Sequence, residues 1–165
     1  MKTVYLSLGS NLGDREQNVS RALEALEQQQ IHVNAKSSIY ETEPQDVAGQ
    51  PWFLNIVVAC ETHCFPRQLL SALQSIEREL GRVRGVGTVR RGPRIIDIDI
   101  LLFGNVVMKT PELSIPHPRM LERRFVLEPL REIAPDLKHP ETKQPLNRYL
   151  GNVAGQIVRK LRSQA

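Results

Sequence analysis

Aromatic side chains are scarce in this chain, 5% of 165 residues with a single Trp, which disfavours a sheet that stacks single-stranded RNA on its aromatic faces. Cysteine is scarcer still: Cys60 and Cys64 are the two present. They lack the second pair of ligands a structural zinc needs, and they read as reduced bystanders. No run of about 18 apolar residues occurs, and no signal-like apolar stretch opens the sequence, so the expectation is a soluble cytoplasmic protein with no membrane partner. Neither G-x-x-x-x-G-K-[ST] nor a G-x-G-x-x-G after the first strand is found, so neither a P-loop nor a dinucleotide fold is supported. No Ser/His/Asp or Cys/His constellation is legible. Aspartate is rare too, with five in the whole chain, two of which are Asp97 and Asp99.

What is present centres on those two. From Ile95 to Phe103 the chain is apolar except for Asp97 and Asp99, which reads as a buried strand interrupted by two carboxylates. Strand side chains alternate, so the aspartates share one face and Ile96, Ile98 and Ile100 take the other. Their Cβ atoms then lie roughly 6.5 Å apart, within reach of one divalent ion or of a pair. Carboxylates beside a core are costly unless cations answer them. The segment Gly81–Arg94 just upstream carries five arginines, Arg82, Arg84, Arg90, Arg91 and Arg94, and four glycines, and reads as a mobile basic loop. Sixteen of the 22 basic residues are Arg, which favours bidentate recognition of phosphate or carboxylate. The net charge of +4 and pI near 9.3 are modest for a nucleic-acid binder. Hard oxygen ligands with an arginine loop suit magnesium and a polyphosphate.

The rest of the chain supplies a frame. Lys2–Gly9 reads as a strand, and Asp14 as the N-cap of a helix with Val19, Ala22, Leu23 and Leu26 on one face, ending near Gln29. Ile31–Thr42 is strand-like, and Glu43–Pro51 is a turn-rich loop. Pro51–Thr62 is a second buried strand, in which Asn55 either bonds nearby backbone or recognises a polar heterocycle. Pro66 opens a helix with Leu69, Leu73, Ile76 and Leu80 inward and Gly81 as its stop. Gln74 and Glu77 lie on one flank of it. After Gly104 a short strand and an extended turn hold His117 between Pro116 and Pro118, near Arg119, Arg123 and Arg124. Leu121–Ile133 is helical in pieces, and one or two terminal helices are expected beyond. The order predicts an α+β, ferredoxin-like βαββαβ antiparallel sheet in one domain spanning 1–165, with helices on one face, the other face free for substrate, and extra C-terminal elements.

The segment RRGPRIIDIDIL, with GRVR before it and LLFG after it, closely resembles the signature of the 6-hydroxymethyl-7,8-dihydropterin pyrophosphokinase family. The resemblance extends through LGSNLGD, YETEP, FLN, IPHPR and RRFVLEPLREIAP, as far as Pro135. It implies transfer of pyrophosphate from ATP to the hydroxymethyl oxygen of the pterin, releasing AMP, with two magnesium ions. By position it implies that Asp97 and Asp99 are metal ligands and catalytic, together with Arg82 and Arg94 on the transferring phosphates. Arg84 and Arg90 become further loop arginines. Thr42 and Asn55 become hydrogen-bonding partners of the pterin, with Phe53 and Phe125 its stacking faces. Gln74, Glu77, His117 and Arg123 line the nucleotide, with Ile100 and Leu113 near the adenine. Three positions depart from the family pattern: Arg91 stands where many members have an aromatic, Gly85–Val89 is longer than in compact members, and Pro118 stands where a Tyr often follows the histidine. The implied partners are the two small-molecule substrates, with no nucleic acid involved; a monomer is the expectation, although the sequence does not itself give the oligomeric state. The rival reading is an RNA-binding βαββαβ module without activity, which the aspartate pair on a central strand opposes by phosphate repulsion.

Overall fold

A computed structural model describes residues 1–44, 49–81 and 95–162. Among the described residues, eight strands, three α-helices and two 3-10 segments follow in the order β1 (Lys2–Ser10), α1 (Arg15–Gln28), β2 (His32–Lys36), β3 (Ile39–Thr42), β4 (Phe53–Thr62), α2 (Pro66–Glu79), β5 (Asp97–Phe103), β6 (Met108–Lys109), β7 (Ser114–Ile115), the 3-10 turn Met120–Glu122, α3 (Arg124–Ile133), the 3-10 segment Leu146–Val153 and β8 (Val158–Arg162). The main sheet is antiparallel in the order β5-β1-β4-β3-β8, with β2 also paired to β4.

The expected strand over Ile31–Thr42 is divided in two, for a reason in its middle. Ser37 Oγ accepts from the backbone N–H of Val57 while Ser37 N–H donates to Val57 O, so a hydroxyl replaces part of the ladder and β2 and β3 run as separate strands. The helices form where the periodicity places them. Asp14 accepts from Gln17 N–H at 3.1 Å and caps α1. On α2, Pro66 sits in the first turn and Gly81 follows the last at φ +101°, a left-handed stop that glycine adopts without strain.

One face of the sheet matches expectation. Val4, Leu6, Leu8, Ile56, Val58, Ile98 and Ile100 pack there against Val19, Ala22 and Leu26 of α1 and Leu69, Leu73 and Ile76 of α2, all at most 5% exposed. Each large aliphatic side chain contributes about 2 kcal/mol by leaving water. The other face is not open along its length, which corrects the expectation of helices on one face only. Val126, Leu127 and Leu130 of α3, with Leu146 and Val153, bury Val57, Leu101 and Leu102 on that side. The terminal segment is corrected as well: a 3-10 turn and the edge strand β8 take the place of helices. Val158–Arg162 carries Arg159, Lys160 and Arg162 and pairs with β3 at the end of the sheet, and charged side chains are typical of an edge strand.

α3 is fastened to the sheet by Glu132, whose carboxylate accepts from Ser38 N–H, Ser38 Oγ–H and Tyr40 Oη–H. Partial burial pushes this carboxyl up, but the hydrogen bonds from Ser38 and Tyr40 outweigh it and hold it below the usual carboxylate range. A depressed folded-state value means stability present above the unfolded carboxyl's pKa and lost as pH falls through the folded one. Glu132→Gln is therefore expected to cost about 2 kcal/mol in urea unfolding at pH 7. The gap between variant and parent should narrow as both are taken into acid, and a gap that is constant with pH would contradict the assignment.

Candidate active site

The candidate side chains on β4 and β5 lie at the end of the sheet where β1 finishes and β5 begins. In register, Asp97 on β5 faces Gly9 on β1, Gly9 faces Asn55 on β4, and Asn55 faces Tyr40 on β3. One step along, Asp99 faces Ser7 and Ser7 faces Val57. Alternation puts Asp97 and Asp99 on the α3 side and Ile98 and Ile100 in the core under α1 and α2, as the sequence predicts. With strands about 4.8 Å apart, the carboxylate of Asp97 and the amide of Asn55 sit roughly two strand spacings from each other.

Gly9 is what leaves that interval open, and inspection of the motifs missed it. A Cβ at Gly9 lies 2.8 Å from Asn55 Nδ2 and 3.4 Å from Phe53 Cδ1, closer than packed atoms tolerate. Asn55 is 5% exposed and Thr42 2%, and Thr42 Oγ1–H donates to Asn55 Oδ1 at 2.6 Å. That bond fixes the amide's orientation, so its Nδ2 is the donor end. A glycine at the end of a strand of β-branched and aliphatic residues was the available signal.

Around Asp99 the structure assembles a cation and an imidazole. Arg123 Nη1 is 3.8 Å and His117 Nε2 3.9 Å from Asp99 Oδ2. His117 is held there by a β-bulge. Tyr5 pairs with Leu102 and Leu6 with Ile100, so Leu101 is the extra residue on β5, and its carbonyl accepts from His117 N–H at 2.9 Å. The ring's tautomer is set as well: Arg119 N–H donates to His117 Nδ1 at 3.1 Å, leaving Nε2 to carry a proton towards Asp99. Burial, reinforced by Arg123 and Arg119, pushes the His117 pKa down to about 4 against the opposing pull of Asp97. The imidazole is thus a neutral donor. Arg123 also lies over the Phe125 ring, 5.4 Å from its centroid, so one side chain links the carboxylate pair to an aromatic face.

Glu77 and its neighbours sit on the reverse side. β5 is an edge strand of the sheet, and Glu77, 3% exposed on α2, accepts from Ile98 N–H at 2.8 Å. It therefore grips β5 between its two aspartates. Ile100 and Leu113 are 5% and 8% exposed in the same apolar cluster, and Gln74 lies one turn before Glu77, half-buried. Arg82, Arg84, Arg90, Arg91 and Arg94 lie outside the described residues.

The donor set fits a magnesium ion: two half-exposed carboxylates on one strand face supply the one or two hard oxygen ligands this ion takes from a protein, with substrate phosphates and water completing its shell. Among the described residues no cluster of three His, Cys, Asp or Glu marks a fully protein-made metal cage. No helix of the described residues is long and apolar enough to cross a membrane.

A family model described as 7,8-dihydro-6-hydroxymethylpterin-pyrophosphokinase matches residues 5–135. The chain is 47% identical over 139 residues to the 2-amino-4-hydroxy-6-hydroxymethyldihydropteridine pyrophosphokinase of Bacillus subtilis, covering 84% of this chain and 81% of that protein. It is 45% identical over 159 residues to the folic acid synthesis protein fol1 of Schizosaccharomyces pombe, covering 96% of this chain but 21% of that protein. The chain thus spans about a fifth of the fission-yeast relative's length. A crystal structure of HPPK-DHPS in complex with substrates superposes with a TM-score of 0.70 at 17% identity, over 92% of this chain and 43% of that one.

Proposed function

The chain belongs to the 7,8-dihydro-6-hydroxymethylpterin-pyrophosphokinase family, and from that premise we propose that it transfers pyrophosphate from ATP to the hydroxymethyl oxygen of a 6-hydroxymethyl dihydropterin and releases AMP. The observation that carries this reading is the register Asp97–Gly9–Asn55. It sets a metal-fitting carboxylate pair beside a buried, oriented amide with an open interval between them, the spacing a flat heterocycle with a reactive side arm requires. Asn55 and Thr42 would meet the polar edge of the pterin, and Phe53 and Phe125 its faces.

Asp97 and Asp99 would hold magnesium, in our reading two ions. Bound there, the metal supplies neutralisation of phosphate charge. The chain's own groups do the rest. His117 Nε2–H and Arg123 offer donors towards phosphate oxygens beside Asp99, the imidazole as a neutral ring that keeps its Nε2–H. The pterin hydroxyl attacks the β-phosphorus in line, the bond from that phosphorus to the α–β bridging oxygen breaks, and AMP leaves with that oxygen while the hydroxyl proton passes to water. Arg82 and Arg94 are assigned to the transferring phosphates, Arg84 and Arg90 to the same segment, and Gln74, Glu77, Ile100 and Leu113 to the nucleotide side. The strand order β5-β1-β4 with β2 and β3 beyond it supports a ferredoxin-like βαββαβ sheet. We read residues 1–165 as one cytoplasmic, monomeric domain. Incubation with Mg-ATP and the hydroxymethyl dihydropterin tests the proposal: pterin-dependent AMP is expected, and ADP as the nucleotide product would sink it.

A further inference from the structure

The matched family segment ends at residue 135, yet the chain beyond it reaches back to the site. The Gln156 side chain spans the backbone on both sides of Arg123: its Nε2–H donates to Glu122 O at 2.7 Å, and its Oε1 accepts from Arg124 N–H at 2.8 Å. A primary amide here acts as a strand partner does, pairing with the two peptide groups that flank one residue. Arg123 is accordingly extended, φ −123° and ψ 111°, at the point where the 3-10 turn Met120–Glu122 gives way to α3. It is the N-cap of α3 and has no side-chain cap of its own, so Gln156 Oε1 answers an otherwise orphaned first-turn N–H. Arg124 returns the grip, donating through Nη1 to Ala154 O and Gln156 O.

The next two residues hold the opposite wall. Glu43 N–H donates to Ile157 O, Ile157 N–H donates to Glu43 Oε1, and Val158 pairs with Thr42. Three consecutive residues therefore tie the Arg123–Phe125 corner to the strand end that presents Thr42.

We propose that Gln156 is a positioning residue of the active site, fixing the backbone of Arg123 so that its guanidinium reaches Asp99 and lies over Phe125. The proposal rests on the reading of Arg123 and Phe125 as nucleotide-side and pterin-side groups. Its test has two arms. Hydrogen exchange of the free protein reads the clamp directly: Gln156→Ala should speed exchange of the Arg124 amide about tenfold or more while the core strands stay protected. Turnover reads the consequence: kcat/KM should fall about tenfold in Gln156→Ala and by much less when the same change is made in an Arg123→Ala background, because the two act as one unit. Gln156→Glu keeps an acceptor for Arg124 N–H and removes the donor to Glu122 O, so it should give a smaller, equally non-additive loss, and it carries the cycle if Gln156→Ala does not fold. Unchanged exchange at Arg124, or losses that add in full, overturn the proposal. A wild-type protein without pterin-dependent AMP formation overturns the functional reading instead, and the exchange arm still decides on the clamp.

Discussion

Asp97→Asn and Asp99→Asn are each expected to lower kcat by about a thousandfold or more, since a metal-held phosphate charge is worth several kcal/mol in the transition state. The fold should survive both changes. Asp97 and Asp99 are half-exposed on the strand face away from the α1–α2 core, and Ile98 and Ile100, which hold β5 down, are untouched. Asn is nearly isosteric, so thermal midpoints should move by only a few degrees. The two variants should nevertheless differ. Asp99 has Arg123 and His117 at 3.8 and 3.9 Å, and its neutralisation leaves Arg123 without that counter-charge, so Asp99→Asn should perturb the nucleotide KM more than Asp97→Asn does. Steady-state kinetics across magnesium concentration checks this. Wild-type turnover in either variant would remove the metal pair from the mechanism.

The second large effect is expected at Gly9. Gly9→Val puts branched carbon where a single Cβ already meets Asn55 Nδ2 at 2.8 Å and Phe53 Cδ1 at 3.4 Å. The amide and ring must shift, and a displacement near 1 Å at a positioning group costs on the order of a hundredfold. That loss should appear in kcat/KM for the pterin, with ATP affinity little changed, because the crowded atoms belong to Phe53 and Asn55 and not to the Asp99–His117–Arg123 cluster. Overpacking should also cost about 1–3 kcal/mol of stability. Equal losses for both substrates would mean that Gly9 serves the fold and not the pterin side.

These residues show what could and could not be read in advance. Asp97 and Asp99 stood out because a period of two assigns faces without further information, and two charges in an apolar run are visible in one dimension. The inward faces of α1 and α2 were legible for the same reason at a period of 3.6. The covering of the second sheet face was not: the apolar stripe of α3 says that it packs, and only the bulge at Leu101 and the Glu132 anchor to Ser38 and Tyr40 determine where. β8 was hidden by its composition: with Arg159 and Lys160 adjacent and only Val158 and Leu161 apolar, it has no period of two to betray a strand. Asn55 was left open between backbone satisfaction and ligand recognition. The structure gives Thr42 Oγ1 as its hydrogen-bond partner, a contact across 13 residues that no local pattern encodes. Gln156 lies further out of reach, acting on Arg123 from 33 positions away through a backbone pairing made by a side chain.

The proposed attack at the β-phosphorus on this carboxylate platform can be followed with ATP carrying ¹⁸O in the α–β bridge. Pterin-dependent AMP is expected to retain the label, because the bridging oxygen leaves with the α-phosphate. Unlabelled AMP, or label found in ADP, would contradict it.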